Sequence, residues 1–561
     1  MISFPHSLVD RLVPGTGHSV DALEVTFPPR QLEDGAQVTR FAPSPTGFMH
    51  IGGVYAALIS QRLASQSNGV FFLRIEDTDK KRQVEGAIDL IVDALRTYNL
   101  SPNEGEVAVG HEVGLYGPYL QSERKDIYHT YVRELLLNQK AYPCFASPEE
   151  LKSIAESQEK AKIRPGYYGE WAMWRDRPVE DILKALDEEK PFVIRFRSTG
   201  DIEKRHTIPD LVRGDLEIPE SDQDIVIMKA DGLPTYHFAH VVDDHLMRTT
   251  IVVRGDEWLS SAPVHIQLFE ALGWAAPSFA HIAPIQKMDG TSRRKLSKRK
   301  DPEASVTFYD ENGYLPQTVE EYLLNLANSR FEVWRAENPT AELQVYKLEI
   351  DNLSVSGALF DLVKLDNIGK TQISFLSAVQ LYELGVEWSQ QHDTVLWEQM
   401  TSAKEYTELA LNIERTTGNV RKDIAKLSDL RAELYYFYDA LYDVSVESAV
   451  AQLLPTLSDA ARTATLDFLS GYQTTDDKDT WMEKMRSCAS SHGYARTLKE
   501  YKKSPDTYSG HVGDLARVIR ILITGRERSP DLWEIMQVMG AERVEKRLRC
   551  VSEENPLSAA S

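Results

Sequence analysis

The sequence predicts an α/β chain built on a doubly wound parallel sheet, interrupted by an insertion and followed by an all-α region. Three observations lead there. Val38 to Phe41 reads as a short strand that breaks at Pro43, Pro45 and Gly47 and resumes as a helix from about Val54, with Val54, Tyr55, Leu58 and Ile59 on one apolar stripe. Strand and helix patterns then alternate to residue 120 and again between 223 and 300, which is the signature of a sheet with crossover helices. Beyond about residue 371 the pattern is helical with few strand signals, as at Leu427, Leu430, Leu434 and Leu441.

Composition bounds the reading. A chain of 561 residues predicts about three to five domains, and a hydrophobic fraction of 42% is ample for sizeable cores. No apolar run reaches the ~18 residues a membrane span needs. The N-terminus, MISFPHSLVDRLVPG, has no basic segment followed by an apolar one, so no secretory signal is expected, and it is not Arg-rich. Cys144, Cys488 and Cys550 are far apart and form no Cys-x-x-Cys pair, which suits a reducing compartment without a disulfide framework. The formal charge of −22 describes the whole and not the local field. Six of the eight residues from Arg293 to Lys300 are basic, and Arg517, Arg520, Arg526, Arg528, Arg543, Lys546, Arg547 and Arg549 add a second basic track. An acidic body with basic tracks fits an enzyme that holds a polyanion on one face. Composition alone fits an acidic enzyme of small metabolites equally well.

In chain order, residues 1 to 36 contain Pro5, Pro14, Pro28 and Pro29 and read as an N-terminal extension packed on the sheet, with plain disorder as the alternative. Gly69 to Glu76 opens as a buried parallel strand, and Val84, Ile88, Ile91, Val92 and Leu95 mark a helical face, completing a first half over 37–120. An insertion spans 121–222: a helix with Ile127, Tyr131 and Leu135 on one face, a charged stretch from Glu149 to Lys160, and a strand from Phe192 to Arg197. The second half, 223–300, begins with a strand at Asp224 to Met228, then a turn at Asp231-Gly232, a strand at Thr250 to Val253 and a helix carrying Val264, Leu268 and Leu272. A mixed region covers 301–370, and the helical region runs from 371 to 561.

Two stretches carry the chemistry. A strand, a Gly/Pro-rich turn and a helix aim backbone N–H groups and a helix N-terminus at an anion. His50 sits in that turn, beside Gly52 and Gly53, which let a ligand approach the backbone closely. The basic run Ser292 to Lys300 suits a mobile loop that neutralises phosphates. The two lie ~240 residues apart, a separation that still allows them to be halves of one nucleotide site.

Together these stretches resemble the two nucleotide-binding motifs of class I aminoacyl-tRNA synthetases: His50-Ile-Gly-Gly53 for His-Ile-Gly-His, and Lys295-Leu-Ser-Lys-Arg299 for Lys-Met-Ser-Lys-Ser. Longer blocks resemble the glutamyl-tRNA synthetases of bacterial and organellar type: RFAPSPTG (40–47), LRIEDTD (73–79), GYYGEWAMWRD (166–176), PTYHFAHVVDDHLM (234–247), VVRGDEWLSS (252–261) and HVGDLARVIRILITGRERSPDLWEIM (511–536). In order from residue 40 to 536, they cover nearly the whole chain.

The resemblance implies a Rossmann-like catalytic domain, an insertion that grips the tRNA acceptor end, a stem-contact domain over 301–370 and a helical anticodon-binding region. It implies ATP-dependent activation of L-glutamate to glutamyl-AMP, with tRNA bound first, and transfer to the 3′ end of tRNA(Glu), with tRNA(Gln) as a further candidate acceptor, by a monomer. Glutamine as substrate, or glutamyl transfer to a tRNA base, are the alternatives within the family. ATP would bring Mg²⁺. The acceptor-binding stretch Ala141 to Phe145 has one thiol, Cys144, so no structural zinc is expected.

By the same resemblance His50, Lys295 and Lys298 are catalytic, and Gly52, Gly53, Glu257 and Ser297 join them around ATP. Arg40, Ser44, Tyr236, His240 and Arg254 bind glutamate, and Glu76 faces its ammonium. Tyr167, Tyr168 and Trp171 with Arg175 would either clamp RNA or fill a small core. Two residues depart from the bacterial pattern: His237, where Asn is usual, and His240, where an apolar residue is usual. The first resembles the mitochondrial branch and predicts the mitochondrial matrix, with the cytoplasm as alternative. The second resembles the glutamine-charging relative.

Overall fold

The computed structural model describes residues 4–297, 299–415, 420–445 and 447–552. The chain divides into two compact units, Met1–Phe308 with Val319–Asp361, and Tyr309–Thr318 with Leu362–Ser561.

The first unit opens with α1 (His6–Leu12) and α2 (Val20–Thr26). Leu8, Val9, Leu23 and Phe27 are buried in one cluster with Val38, Phe72, Tyr128 and Phe238, so the N-terminal extension is packed on the sheet. Polar ties reinforce it: Glu24 accepts from His245 (2.7 Å) and Arg248 (2.7 Å), and Arg30 forks onto Glu104 (2.7 and 2.9 Å).

Next come β1 (Val38–Phe41), α3 (Ile51–Ser65), β2 (Val70–Leu73), α4 (Ala87–Thr97) and β3 (Glu104–Ala108). β1, β2 and β3 are parallel neighbours in that order. The apolar run Val70-Phe-Phe-Leu73 is nearly all buried, as a strand covered on both faces must be. After α5 (Lys125–Leu137) and the insertion come β4 (Arg205–Asp210), α6 (Tyr236–Leu246), β5 (Ile251–Gly255), α7 (Ala262–Leu272) and β6 (Ser278–Ile282). β5 pairs in parallel with β6, and β6 with β4. β1 and β5 lie side by side, joined by the Thr250 N–H to Val38 O bond (2.9 Å). Strand order therefore runs outward from β1/β5 in both directions, and the crevice at their carboxyl ends is where such sheets bind ligands.

Four readings change. The helix after β1 starts at Ile51, three residues early, because His50 caps it. Val84 lies before α4 and is 50% exposed, so the helical face begins at Ala87. Val226–Met228 pairs antiparallel with Val193–Phe196, in a small sheet with Ala141–Cys144. It stands with the insertion's strands and not in the main sheet. Conversely β4, inside the expected insertion, joins the main sheet at Asp210. An apolar run declares a strand but not its partner.

Within the insertion Tyr167 is buried under Arg195, with its hydroxyl against Cys144 (3.3 Å). Arg175 is committed to Asp224 (2.6 Å) and Ser198 O (2.7 Å). These two fill a core, whereas Tyr168 and Trp171 are only half-buried.

The second unit is helical among its described residues. Its core gathers Leu381, Met400, Leu430, Trp481, Ile519 and Met536. Capping boxes at Ser377/Gln380 and His511/Asp514 start two of its helices, and Gly525, at φ +70°, ends one. Arg547 of the basic track is 5% exposed and lies over the Tyr442 ring, so it packs the core and is not presented to a polyanion. His492 and Asp467 pair at 3.1 Å, and Cys488 Sγ beside them donates to Ala464 O at 3.0 Å.

Candidate active site

The turn after β1 and the strand Ser292–Lys295 converge. Ser292–Lys295 forms a hairpin with Gln286–Asp289, and the chain after it returns so that Ser305 bridges His50. A cavity of about 460 Å³ lies between them at the carboxyl ends of β1, β5 and β6. Ser44, His50, Gly52 and Gly53 line it from one side, Glu257 from the end of β5, and Lys295 and Leu296 from the hairpin. Ser297 stands just beyond, its N–H donated to Asp301 (2.9 Å). Lys298 lies outside the described residues.

His50 is the N-cap of α3. Its Nδ1 accepts from Gly53 N–H at 3.0 Å, so the ring proton is on Nε2. The side chain thus satisfies one orphan donor of the helix with one nitrogen, and the other carries the ring proton. A methyl group on Gly52 would come within 3.0 Å of His50 Nδ1, which explains the small residue there. Burial would raise the Glu257 carboxyl, but the Lys295 hydrogen bond (2.9 Å) and charge, together with a backbone hydrogen bond, hold the group below its usual range.

A second cluster lies behind Trp258, which lines the cavity and packs on Tyr236 with ring centroids 4.3 Å apart. It contains Arg40, Glu76, Tyr236, His240 and Arg254, all expected from the sequence. It also contains His265, His281, Asp243 and Asp244, which were not. α6 is buried on nearly every side, so Asp243 and Asp244 need partners. Asp243 accepts from Arg124 (2.6 Å), Tyr128 (2.8 Å) and Gln121 (2.9 Å). Asp244 accepts from Arg74 (2.7 Å) and Arg40 (3.2 Å). Burial opposes its ionisation, but Arg40 and Arg74 hold it well below the usual carboxylate range.

Burial takes His240 down to about 3, so the ring is neutral. Its Nδ1–H donates to Asp244 Oδ2 at 2.9 Å, and the 3.5 Å approach of Arg40 Nη2 to the same nitrogen is a contact only. Its Nε2 is buried without a hydrogen bond. Burial also raises Glu76 to about 7, against the pull of Arg74 and Arg40. Tyr236 is pushed up to about 12 by burial and stays a neutral donor.

The two arginines differ. Arg40 already donates to Asp244 and to Val253 O (3.2 Å). Arg254 has no carboxylate partner among the described residues; Asp256, its neighbour in sequence, pairs with Arg213 (2.9 Å). Its Nε donates to His281 Nε2 (2.9 Å) and one terminal nitrogen to His265 Nδ1 (3.0 Å), while Nη2 is buried without a hydrogen bond. The sequence did carry a signal for one of these histidines: His281 interrupts the apolar run Phe279-Ala-His-Ile282, where an imidazole must find polar partners.

A histidine turn and a basic hairpin meeting over one cavity, where strand order reverses, is the arrangement of a class I aminoacyl-tRNA synthetase. Comparison with known proteins agrees. Residues 37–367 match "tRNA synthetases class I (E and Q), catalytic domain" and residues 381–552 match "Anticodon binding domain". The chain belongs to the class I tRNA synthetases of the E and Q type. A glutamate–tRNA ligase of Clostridium perfringens (strain 13 / Type A) is 48% identical over 523 residues, covering 93% of this chain and 96% of the relative. One from Sorangium cellulosum (strain So ce56) is 44% identical, covering 94% and 96%. The crystal structure of a glutamate tRNA ligase from Elizabethkingia meningosepticum, in complex with its amino acid, superposes with a TM-score of 0.72 at 27% identity, covering 92% of this chain and 99% of that one.

Proposed function

We infer that this chain is a glutamate–tRNA ligase. It uses ATP to convert L-glutamate to glutamyl-AMP and passes the glutamyl group to the 3′ end of tRNA(Glu). The observation that carries the reading is the meeting of His50 and Lys295 over one cavity, backed by a buried arginine whose charge no carboxylate cancels. Relatives that match nearly the full length carry the same activity in their names.

The chemistry needs aligned reactants and neutralised phosphates more than covalent help. His50 Nε2–H and the N-terminus of α3 meet the phosphates, and Lys295 and Lys298 draw off pyrophosphate. Gly52 and Gly53 let the triphosphate lie against the backbone, Ser297 supports the lysine loop, and Glu257 holds the nucleoside. Among the described residues Glu257 is the one carboxylate lining the cavity, and it is already paired. The donor set therefore makes no protein cage, and Mg²⁺ arrives on the ATP phosphates. Arg254, Arg40 and Tyr236, with Ser44, fix the amino acid's carboxylates, His240 packs against the Tyr236 ring beside them, and Glu76 takes the ammonium.

The insertion as acceptor grip, 301–370 as stem contact, tRNA bound before activation, acceptance of tRNA(Gln) and a monomeric state are parts of the same proposal. Charging of tRNA(Glu) and tRNA(Gln) with labelled glutamate and glutamine tests it, and no charging of a tRNA(Glu) that a known ligase accepts overturns it. The compartment is a separate proposal. His237 motivates the mitochondrial matrix, whereas the relatives named above are bacterial, which favours a cytoplasm. Imaging the tagged chain in its own cell decides.

A further inference from the structure

Arginine in a buried site ordinarily brings a carboxylate with it, because an uncompensated interior charge is costly. Arg254 is 6% exposed and is held by two imidazoles instead. The surrounding carboxylates are each committed elsewhere. Asp244 is shared by Arg40 and Arg74, and Asp256 is taken by Arg213. Asp210 sits one imidazole further out: it accepts from His281 Nδ1 (2.6 Å) and from the backbone N–H groups of Val212, Arg213 and His281.

The hydrogen bonds also fix the imidazoles. His281 donates through Nδ1 to Asp210, so its Nε2 is the acceptor that takes the Arg254 Nε proton. His265 accepts from Arg254 at Nδ1, so Nε2 carries its proton toward His237 Nδ1 (2.9 Å). Burial keeps both rings neutral. Each therefore orients the guanidinium without cancelling its charge, and Nη2 remains as a buried donor.

We propose that His265 and His281 are positioning residues that lock Arg254 while leaving its charge uncompensated, and that this arrangement makes the site select a carboxylate side chain over the isosteric carboxamide. The inference rests on the ligase reading above. A carboxamide matches a carboxylate in shape but brings no negative charge. A cation held by neutral partners discriminates between the two, whereas a cation already paired with a carboxylate does not.

The test compares His265→Asn, which keeps a neutral acceptor near the Nδ1 position, with His265→Asp, which puts a carboxylate there. Charging of tRNA(Glu) is measured with glutamate and with glutamine at saturating ATP, separating KM from kcat, with KM for ATP as control. The Asp variant is expected to raise KM for glutamate about 10- to 100-fold and to narrow the glutamate-to-glutamine ratio by a similar factor. The Asn variant should restore most of both, and KM for ATP should not move. Equal behaviour of Asn and Asp overturns the proposal. If the Asp variant does not fold, His281→Gln and His281→Met decide: Gln offers an acceptor to Arg254 Nε and Met does not. A higher glutamate KM in Met than in Gln supports the proposal, and equality overturns it. Wild-type enzyme that charges nothing strikes the ligase reading itself, a result distinct from either comparison.

Discussion

Lys295 Nζ lies 2.9 Å from Glu257 Oε1, so the lysine of the basic hairpin is held by the carboxylate at the end of β5. Both side chains are about half exposed, at 57% and 49%. A pair of this kind is worth about 0–1 kcal/mol and breaks readily when a triphosphate competes for the lysine. Lys295→Ala should leave the unfolding midpoint nearly unchanged while slowing tRNA-dependent ATP–pyrophosphate exchange about 100-fold. A large loss of stability with normal exchange would show that the pair is structural.

His50 caps α3 and, in the proposed reaction, donates to the phosphates, two jobs that one substitution can separate. His50→Ala removes both the cap on α3 and the phosphate donor. It should cost about 1 kcal/mol in denaturant unfolding as well as slowing adenylation. Asn is itself a favoured N-cap, so His50→Asn should recover the stability and not the rate. Binding of tRNA, measured by filter retention, should stay near wild type in both.

Glu76 carries a pH dependence. Its folded value, about 7, lies above its ordinary 4.5 because burial disfavours the charged form. Folding thus favours the protonated carboxyl. Its contribution to stability is complete below about 4.5 and is lost as pH rises through about 7. Binding a cationic ammonium needs the opposite form. KM for glutamate should therefore fall as pH rises from 6 to 8, and Glu76→Gln should flatten that profile. An unchanged profile in the Gln variant would assign the titration to another group.

Asp301 staples the lysine loop. It takes a two-pronged contact from Arg294 (2.6 and 2.8 Å) and the N–H of Ser297 (2.9 Å). The Arg294 guanidinium holds its carboxyl well below the usual range, so this support is present above the unfolded value and is lost only as pH falls far into acid. Asp301→Ala should slow adenylation at neutral pH about 10-fold while leaving KM for glutamate alone, because it loosens the loop and not the amino-acid pocket. Stopped-flow adenylation with both substrates varied checks this.

Of the main sheet, β1, β2, β5, α3, α4 and α7 were legible from apolar runs or one-sided apolar spacing, as in Val70–Leu73 and Ala262–Leu272, whereas β3, β4, β6 and α6, with polar residues breaking their pattern, were not. The pairing was not. Val226-Ile-Met228 reads like any buried strand, and only hydrogen bonding to Val193–Phe196 assigns it to the insertion. Of the candidate site, the structure brings together residues that lie on long motifs, His50 with Lys295 around one cavity and Tyr236 with Arg254 in the cluster behind it. His265 and His281 escaped because each sits singly on an ordinary helix or strand, and their role arises only from a guanidinium brought there by another strand. Arg547 misled in the opposite direction, since a basic residue in a basic track gives no sign that a tyrosine ring covers it.

Helix α6 puts two duties on a single rod. Tyr236 and His240 stack within the cluster proposed to take the amino acid, and within the next turn Asp243 and Asp244 hold three buried arginines. Attempts to retarget this pocket to an unnatural amino acid will thus run into solubility before chemistry: variants at 236 or 240 that tilt the rod will strand interior charges and be lost during expression. Libraries seeded with compensating changes at 40, 74 or 124 should survive where single-site ones vanish.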